Sequence, residues 1–415
     1  MSWSSKTISG ISELAAAIYG NGGLLGSNLT LAGNLIVDGN IINVAGGGSN
    51  IPSYTPYIFT SSGPLGSISY TTSTLMIQTV APLALYQVNT SGTYTGSASA
   101  SIGISALQLP PSTLGVNSDN ILAINIQNPI QSQTIVGSKA LKLINPALQT
   151  PTPLTGTASF SIYIAGFYFT QTPTVWTPAL ASGAGALGTI TYNTQVGYLV
   201  HIGQAIFYAC NLDFTYSGSS STNLQLSGLP TETTLVKCIT TTVDQFDTNP
   251  WIGEPCVLDY LQASTVANFR NSATHVLTPL TGGGTASVTL SGVYLTSLAT
   301  AFAPTITAPT GIWSDSPTTV AYYSSSSNIT AFSITYSSTV TAATTGLQLT
   351  GLPNNQAGTS VVKSIYTTGL TGPLTLVGVQ GTSTMNFVDA SGNPPIINLT
   401  SASVLITITG YYLNV

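Results

Sequence analysis

A short pattern occurs three times in this chain, and any fold the chain adopts must accommodate all three copies. Ala158-Ser-Phe-Ser-Ile-Tyr-Ile-Ala-Gly166-Phe-Tyr168-Phe is followed by Ala286-Ser-Val-Thr-Leu-Ser-Gly292-Val-Tyr294-Leu, then by Ala402-Ser-Val-Leu-Ile-Thr-Ile-Thr-Gly410-Tyr-Tyr412-Leu. A second marker precedes each copy. It reads Ile104-Ser-Ala-Leu-Gln-Leu109-Pro110, Leu224-Gln-Leu-Ser-Gly-Leu229-Pro230 and Leu347-Gln-Leu-Thr-Gly-Leu352-Pro353. Two markers in one order, three times over, define an internal repeat. The Leu-Pro markers lie 120 and 123 residues apart, and the Gly-x-Tyr markers 126 and 118. Solenoid units run about 20–50 residues because each needs its neighbours, whereas a stretch of this length can close its own core. The spacing predicts three tandem domains over residues 53–171, 172–298 and 299–415.

The first two copies share a further marker, Leu65-Gly-Ser-Ile-Ser-Tyr70 and Leu187-Gly-Thr-Ile-Thr-Tyr192, which copy three replaces with Thr319-Val-Ala-Tyr-Tyr323. Within each copy, residues alternate in character with period two and are rich in β-branched side chains, as in Ser159–Ile164, Ser287–Leu290 and Ser403–Ile408. Turn-forming clusters separate these runs, so short antiparallel strands in a two-sheet sandwich are expected.

Two different patterns lie ahead of the repeat. Ile8, Ile11, Leu14, Ala15 and Ile18 follow helical spacing, so residues 1–20 are expected to carry an amphipathic anchor helix over 7–19. Residues 21–52 hold a finer repeat of six: Asn28-Leu-Thr-Leu-Ala-Gly33, Asn34-Leu-Ile-Val-Asp-Gly39 and Asn40-Ile-Ile-Asn-Val44. Each unit reads as a short strand closed by a Gly-Asn turn. So few strands bury little alone, and the pattern predicts a β-neck formed with other chains, followed by a flexible joint at Gly46-Gly-Gly-Ser-Asn50.

Charge narrows the function. Charged residues make up 4% of the chain, against about 25% in ordinary soluble domains. Six basic residues against eleven acidic ones give a net charge of −5. Nucleic-acid binding draws on Lys and Arg to displace phosphate counterions, so that class is excluded. A mean hydropathy of +0.35 raises the question of a membrane span. The longest apolar run, 196–212, is broken by His201, Gln204 and Asn211, so no spanning helix is expected. Cys210, Cys238 and Cys256 all fall in copy two, with the spacing of neither a zinc site nor a disulfide framework. They read as core thiols or as one bridge with a thiol left over.

Copy two carries a resemblance. Trp176-Thr-Pro-Ala179, Gly188-Thr-Ile-Thr-Tyr192, Gly197-Tyr-Leu-Val-His-Ile-Gly203-Gln-Ala-Ile-Phe-Tyr208 and Leu224-Gln-Leu-Ser-Gly-Leu-Pro230 resemble the jelly-roll head domains repeated in phage tail fibres. The same domains occur in surface or minor capsid proteins of large double-stranded DNA viruses. Copies one and three offer Tyr54-Thr-Pro56 and Phe302-Ala-Pro304 in place of the Trp-Thr-Pro opening. The resemblance implies an all-β chain of three tandem antiparallel jelly-roll sandwiches after a helix and β-neck. It implies a homotrimer in the virion, with a pentamer at a vertex as the alternative, contacting other capsid or virion proteins, with no cofactor and no active site to carry over.

Three functions follow as alternatives: a non-enzymatic virion structural protein (spike, fibre or minor capsid protein), a receptor-binding adhesin for host surface glycans, and a tailspike-type polysaccharide depolymerase. The last needs two carboxyl groups about 5–9.5 Å apart, and the one acidic cluster is Asp244, Asp247, Glu254 and Asp259 near Trp251. Asp244, Asp247 and Asn249 could also offer oxygen ligands to calcium. A solvated loop of turn formers is the plainer reading of the same residues. Tyr168, Tyr294 and Tyr412, like Gly166, Gly292, Gly410, Pro110, Pro230 and Pro353, read as structural markers at core or subunit-interface positions.

Overall fold

The computed structural model describes residues 34–37, 40–43, 53–54, 56–62, 66–99, 101–105, 117–118, 121–124, 126, 131–134, 138, 140–145, 150–151, 154–230, 239–240, 242–246, 256–261, 264–271, 276–307, 318–340, 344–362, 365–368, 374–389, 391–397 and 402–415. The expected helix over 7–19 and the joint at 46–50 lie outside them, as does Pro110. The chain divides into two compact units, Met1–Gly46 and Gly47–Val415. In the first unit, Asn34–Val37 pairs with Asn40–Asn43 as an antiparallel hairpin in the register Asn34↔Asn43 to Val37↔Asn40. Only Asp38 and Gly39 separate the two strands, the dipeptide favoured in two-residue hairpin loops.

The second unit is all β, with no helix among the described residues. Its own strands fall into three pairs of principal sheets, drawn from the stretches of chain 53–169, 174–295 and 300–413. In each pair ten strands form a sandwich with one connectivity, to which Thr150–Pro151 in the first stretch and Thr344–Thr345 with Ile396–Ile397 in the third are additional. In the middle sandwich these are Thr174–Trp176, Ala179–Ala184, Thr189–Ile202, Ala205–Ser221, Asn223–Ser227, Ile239–Thr240, Thr242–Phe246, Cys256–Tyr260, Ala267–Asn271 and Leu280–Leu295. Counted in that order, one sheet runs first, third, fourth, tenth, seventh; the other runs second, fifth, ninth, eighth, sixth. The sandwiches on either side follow the same two orders. The fourth–tenth and fifth–ninth pairings are therefore nested in all three.

The third and fourth strands form the longest hairpin of each sandwich: Ser67–Val80 with Leu83–Ser99, Thr189–Ile202 with Ala205–Ser221, and Thr318–Ser326 with Ile329–Val340. Their two-residue loops use different chemistry for one purpose. Gly203 takes a φ of 59°, while Ser327 and Asn328 take 54° and 63°, the left-handed conformation that tight hairpins need. The three registers also settle the openings that differ in sequence. Tyr54 stands opposite Leu75, Trp176 stands opposite Gly197, and the Phe302 N–H bonds to the Ala321 carbonyl. The aromatic residue thus stands at the end of the same strand pairing each time. A Cβ on Gly197 would run into the Trp176 indole, so the largest of the three aromatics faces the smallest partner.

Each sandwich closes its own core, centred on Tyr86 and Tyr168, on Tyr208 and Tyr294, and on Phe332 and Tyr412. A further core belongs to none of them alone. It gathers Leu83, Leu85, Phe167 and Phe169 with Ala205, Phe207, Val293 and Leu295, and with Ile329, Ala331, Tyr411 and Leu413. Most of the 196–212 run is apolar because its strands are covered on both faces, by their own sandwich and by this shared core.

Contacts between the sandwiches run head to tail. The sixth strand of the first, Asn117–Ser118, lies against the seventh and tenth strands of the second. The sixth strand of the second lies against the tenth strand of the third, Ala402–Leu413. The sixth strand of the third, Val361–Val362, returns to the seventh and tenth strands of the first, Ile121–Ile124 and Leu154–Phe169. Head-to-tail contacts that come back to their start close a ring.

Candidate functional site

The repeated residues do structural work that geometry makes explicit. Gly166, Gly292 and Gly410 stand directly opposite Tyr86, Tyr208 and Phe332 on the fourth strand. A Cβ on Gly166 would collide with the Tyr86 ring, and one on Gly410 would meet Val362 and Phe332. The missing side chain leaves room for the neighbouring aromatic to lean across the sheet. Two residues on, Tyr168, Tyr294 and Tyr412 are fully buried and meet those same rings at centroid distances of 6.0, 6.1 and 6.0 Å. Burial pushes the Tyr412 phenol up to about 12, although hydrogen bonds to Asn354 and Thr330 pull the other way.

The other markers behave alike. The Tyr70 and Tyr192 hydroxyls each accept from a backbone N–H twelve residues earlier, Ile58 and Leu180, both at 2.8 Å. Burial raises both phenols, and these bonds oppose the rise. Gly228 and Gly351 adopt φ of 80° and 77°, turning the chain so that Leu229 and Leu352 enter the core ahead of Pro230 and Pro353. Gln225 and Gln348 donate to Asn268 and Asn386 at 2.8 and 3.0 Å, a cross-strand amide pair kept in both copies.

The place where all three sandwiches converge is the shared core. Phe167, Phe207 and Tyr411, one ring from each sandwich, form a closed triangle. Phe207 lies 5.4 Å from each of the other two, which are 6.1 Å apart, all edge to face. The Tyr411 hydroxyl donates to the Ala165 carbonyl at 3.5 Å. Ser324 joins the second and third sandwiches, its hydroxyl accepting from the Gln204 N–H at 2.8 Å. Farther along the same faces of these strands the character turns polar, at Gln87, Asn211, Thr335 and Thr407. The Gln87 amide atoms and the side-chain oxygens of the other three are buried with no hydrogen-bond partner among the described residues. The sequence patterns pointed to Gly and Tyr of the Gly-x-Tyr marker. They missed the residue between, because x differs in every copy.

The acidic cluster is only partly described. Asp244 lies on the seventh strand opposite Thr289, while Asp247, Asn249, Trp251 and Glu254 fall outside the described residues. Asp259 is buried, and the Arg270 Nε donates to its Oδ2 at 2.6 Å. A buried carboxylate needs such a partner to offset its lost hydration, and this engagement draws Asp259 away from a role in a sugar cleft. Among the described residues no three His, Cys, Asp or Glu side chains gather into a metal-holding group. Cys210 is buried in the middle core, its thiol pushed up by desolvation. Cys256 lies opposite Asn271, and Cys238 and His275 are outside the described residues. His201 is exposed near the end of the third strand. No described helix is long and apolar enough to cross a membrane. Comparison with family models, curated proteins and solved structures finds no match.

Proposed function

We propose that the chain is a non-enzymatic structural protein of a virion, a spike, fibre or minor capsid protein that acts by assembly and by docking to the particle. One observation carries this reading. The repeated residues whose side chains are described are occupied in joining strands and filling cores, and Asp259 of the acidic cluster is held by Arg270. In the finer form of the proposal, three jelly-roll bodies follow a docking helix and a β-neck. The nested fourth–tenth and fifth–ninth pairings and the likeness of copy two to viral head domains support it.

The chain's partners are then other capsid or virion proteins, met through hydroxyl-rich, nearly uncharged surfaces rather than through electrostatic steering. Peptide mass spectrometry and antibody labelling of purified particles test the reading. Co-purification with the particle at a fixed stoichiometry, with no cleavage of polysaccharide by the isolated chain, is expected. Cleavage that Asp244→Asn abolishes would establish the depolymerase reading instead, and specific retention on a glycan array would establish the adhesin.

A further inference from the structure

The sequence leads one to expect three copies of this chain around a threefold axis. The contacts within one chain already supply such a ring. Each sandwich offers its sixth strand to the tenth strand of the next, and the third returns to the first. The four outward positions of the fourth and tenth strands meet in one core: Leu83, Ala205 and Ile329; Leu85, Phe207 and Ala331; Phe167, Val293 and Tyr411; Phe169, Leu295 and Leu413.

Those residues are not interchangeable. The second sandwich places its large ring on the fourth strand, Phe207, and a small residue on the tenth, Val293. The first and third place their rings on the tenth strand, Phe167 and Tyr411, with Leu85 and Ala331 opposite. Three identical faces at an axis would bring three equal side chains into one space. Here the large and small residues alternate so that three rings close a triangle. Two of the three interfaces also have a polar tie of their own: Ser324 to Gln204 between the third and second, and Tyr411 to Ala165 between the third and first.

We infer that this polypeptide is a covalent pseudo-trimer: one chain forms the whole threefold head, with its sandwiches in a fixed order and without exchanging them with other copies. The head then presents three different flanks around one axis, so a partner bound at its side is met in a single rotational setting. This inference stands apart from the virion reading, and either can fail without the other.

The test is a cross-link that records which chain each sandwich came from. Gln204→Cys with Ser324→Cys spans the second and third sandwiches. Gly358→Cys with Met76→Cys spans the third and first, where a Cβ at 358 would press on the Met76 sulfur. Each pair, with its single-cysteine controls, is made in the full chain, unfolded as an equal mixture of ordinary and heavy-nitrogen-labelled chains, refolded and oxidised. Cross-linked peptides are then weighed. Pairs in which both peptides carry the same label are expected for both sites. Mixed-label pairs at the share expected for random exchange would overturn the inference. So would the failure of both pairs to close in chains that unfold at the wild-type temperature, since the two contacts would then not exist.

Discussion

The two faces of the paired fourth and tenth strands obey different rules. On the inner face an aromatic leans over a glycine and meets a tyrosine at about the same distance in every sandwich. On the outer face no position keeps its residue through all three copies. The inner face meets only its own sandwich, so one solution can be used three times. The outer face meets two other faces near an axis, where one residue repeated three times would compete with itself. Carrying the copies in one chain lifts the constraint of identity, and the outer face has used that freedom to pack unequal residues.

The largest test of this difference is Phe207→Ala, which removes the ring that touches both others. It should cost about 3–5 kcal/mol, read as a lower urea midpoint. Loss confined to the middle sandwich, judged by hydrogen exchange, would deny that the core is shared. Val293→Tyr makes the tenth strand aromatic in all three copies and should cost about 1–3 kcal/mol by overpacking. Combined with Phe207→Ala, it should cost less than the sum of the two single changes, because the ring enters the space just vacated.

On the third strand of the middle sandwich, Tyr192→Phe deletes the bond from the Leu180 N–H. It should cost about 0.5–1.5 kcal/mol and speed exchange of that amide, and Tyr70→Phe should do the same at Ile58.

The last effect is one of pH and comes from Tyr412. Its phenol titrates at about 12 in the fold against 10.0 ordinarily, so the folded state holds the proton more tightly. That contribution is complete below pH 10 and is lost as pH rises toward 12. Tyr412→Phe removes the hydroxyl's bonds to Asn354, which should cost about 0.5–1.5 kcal/mol at neutral pH, and it should flatten the alkaline part of the stability profile.

The sequence was informative where physics repeats itself. Gly166, Gly292 and Gly410 could be read as fixed points because the same ring must pass each of them. The strand alternation was plain because each sandwich has a dry interior. Phe167, Phe207 and Tyr411 could not be read in the same way. Their meeting depends on how three bodies turn toward one another, and the complementarity that unites them erases the repetition that would have exposed them. The apolar run 196–212 was visible as a sequence feature, yet its cause, cover on both faces, lies in that same packing. The acidic cluster misled in part: proximity in sequence grouped Asp259 with Asp244, whereas pairing across strands gives it to Arg270.

The central claim is that three sandwiches of one chain share one core. It is tested most directly by nuclear Overhauser contacts in a chain protonated only at Phe and Tyr rings on a deuterated background. The account predicts cross-peaks linking Phe207 to Phe167 and to Tyr411, alongside the Tyr86–Tyr168 contact inside the first sandwich. A Tyr86–Tyr168 cross-peak with none between Phe207 and either partner would contradict it.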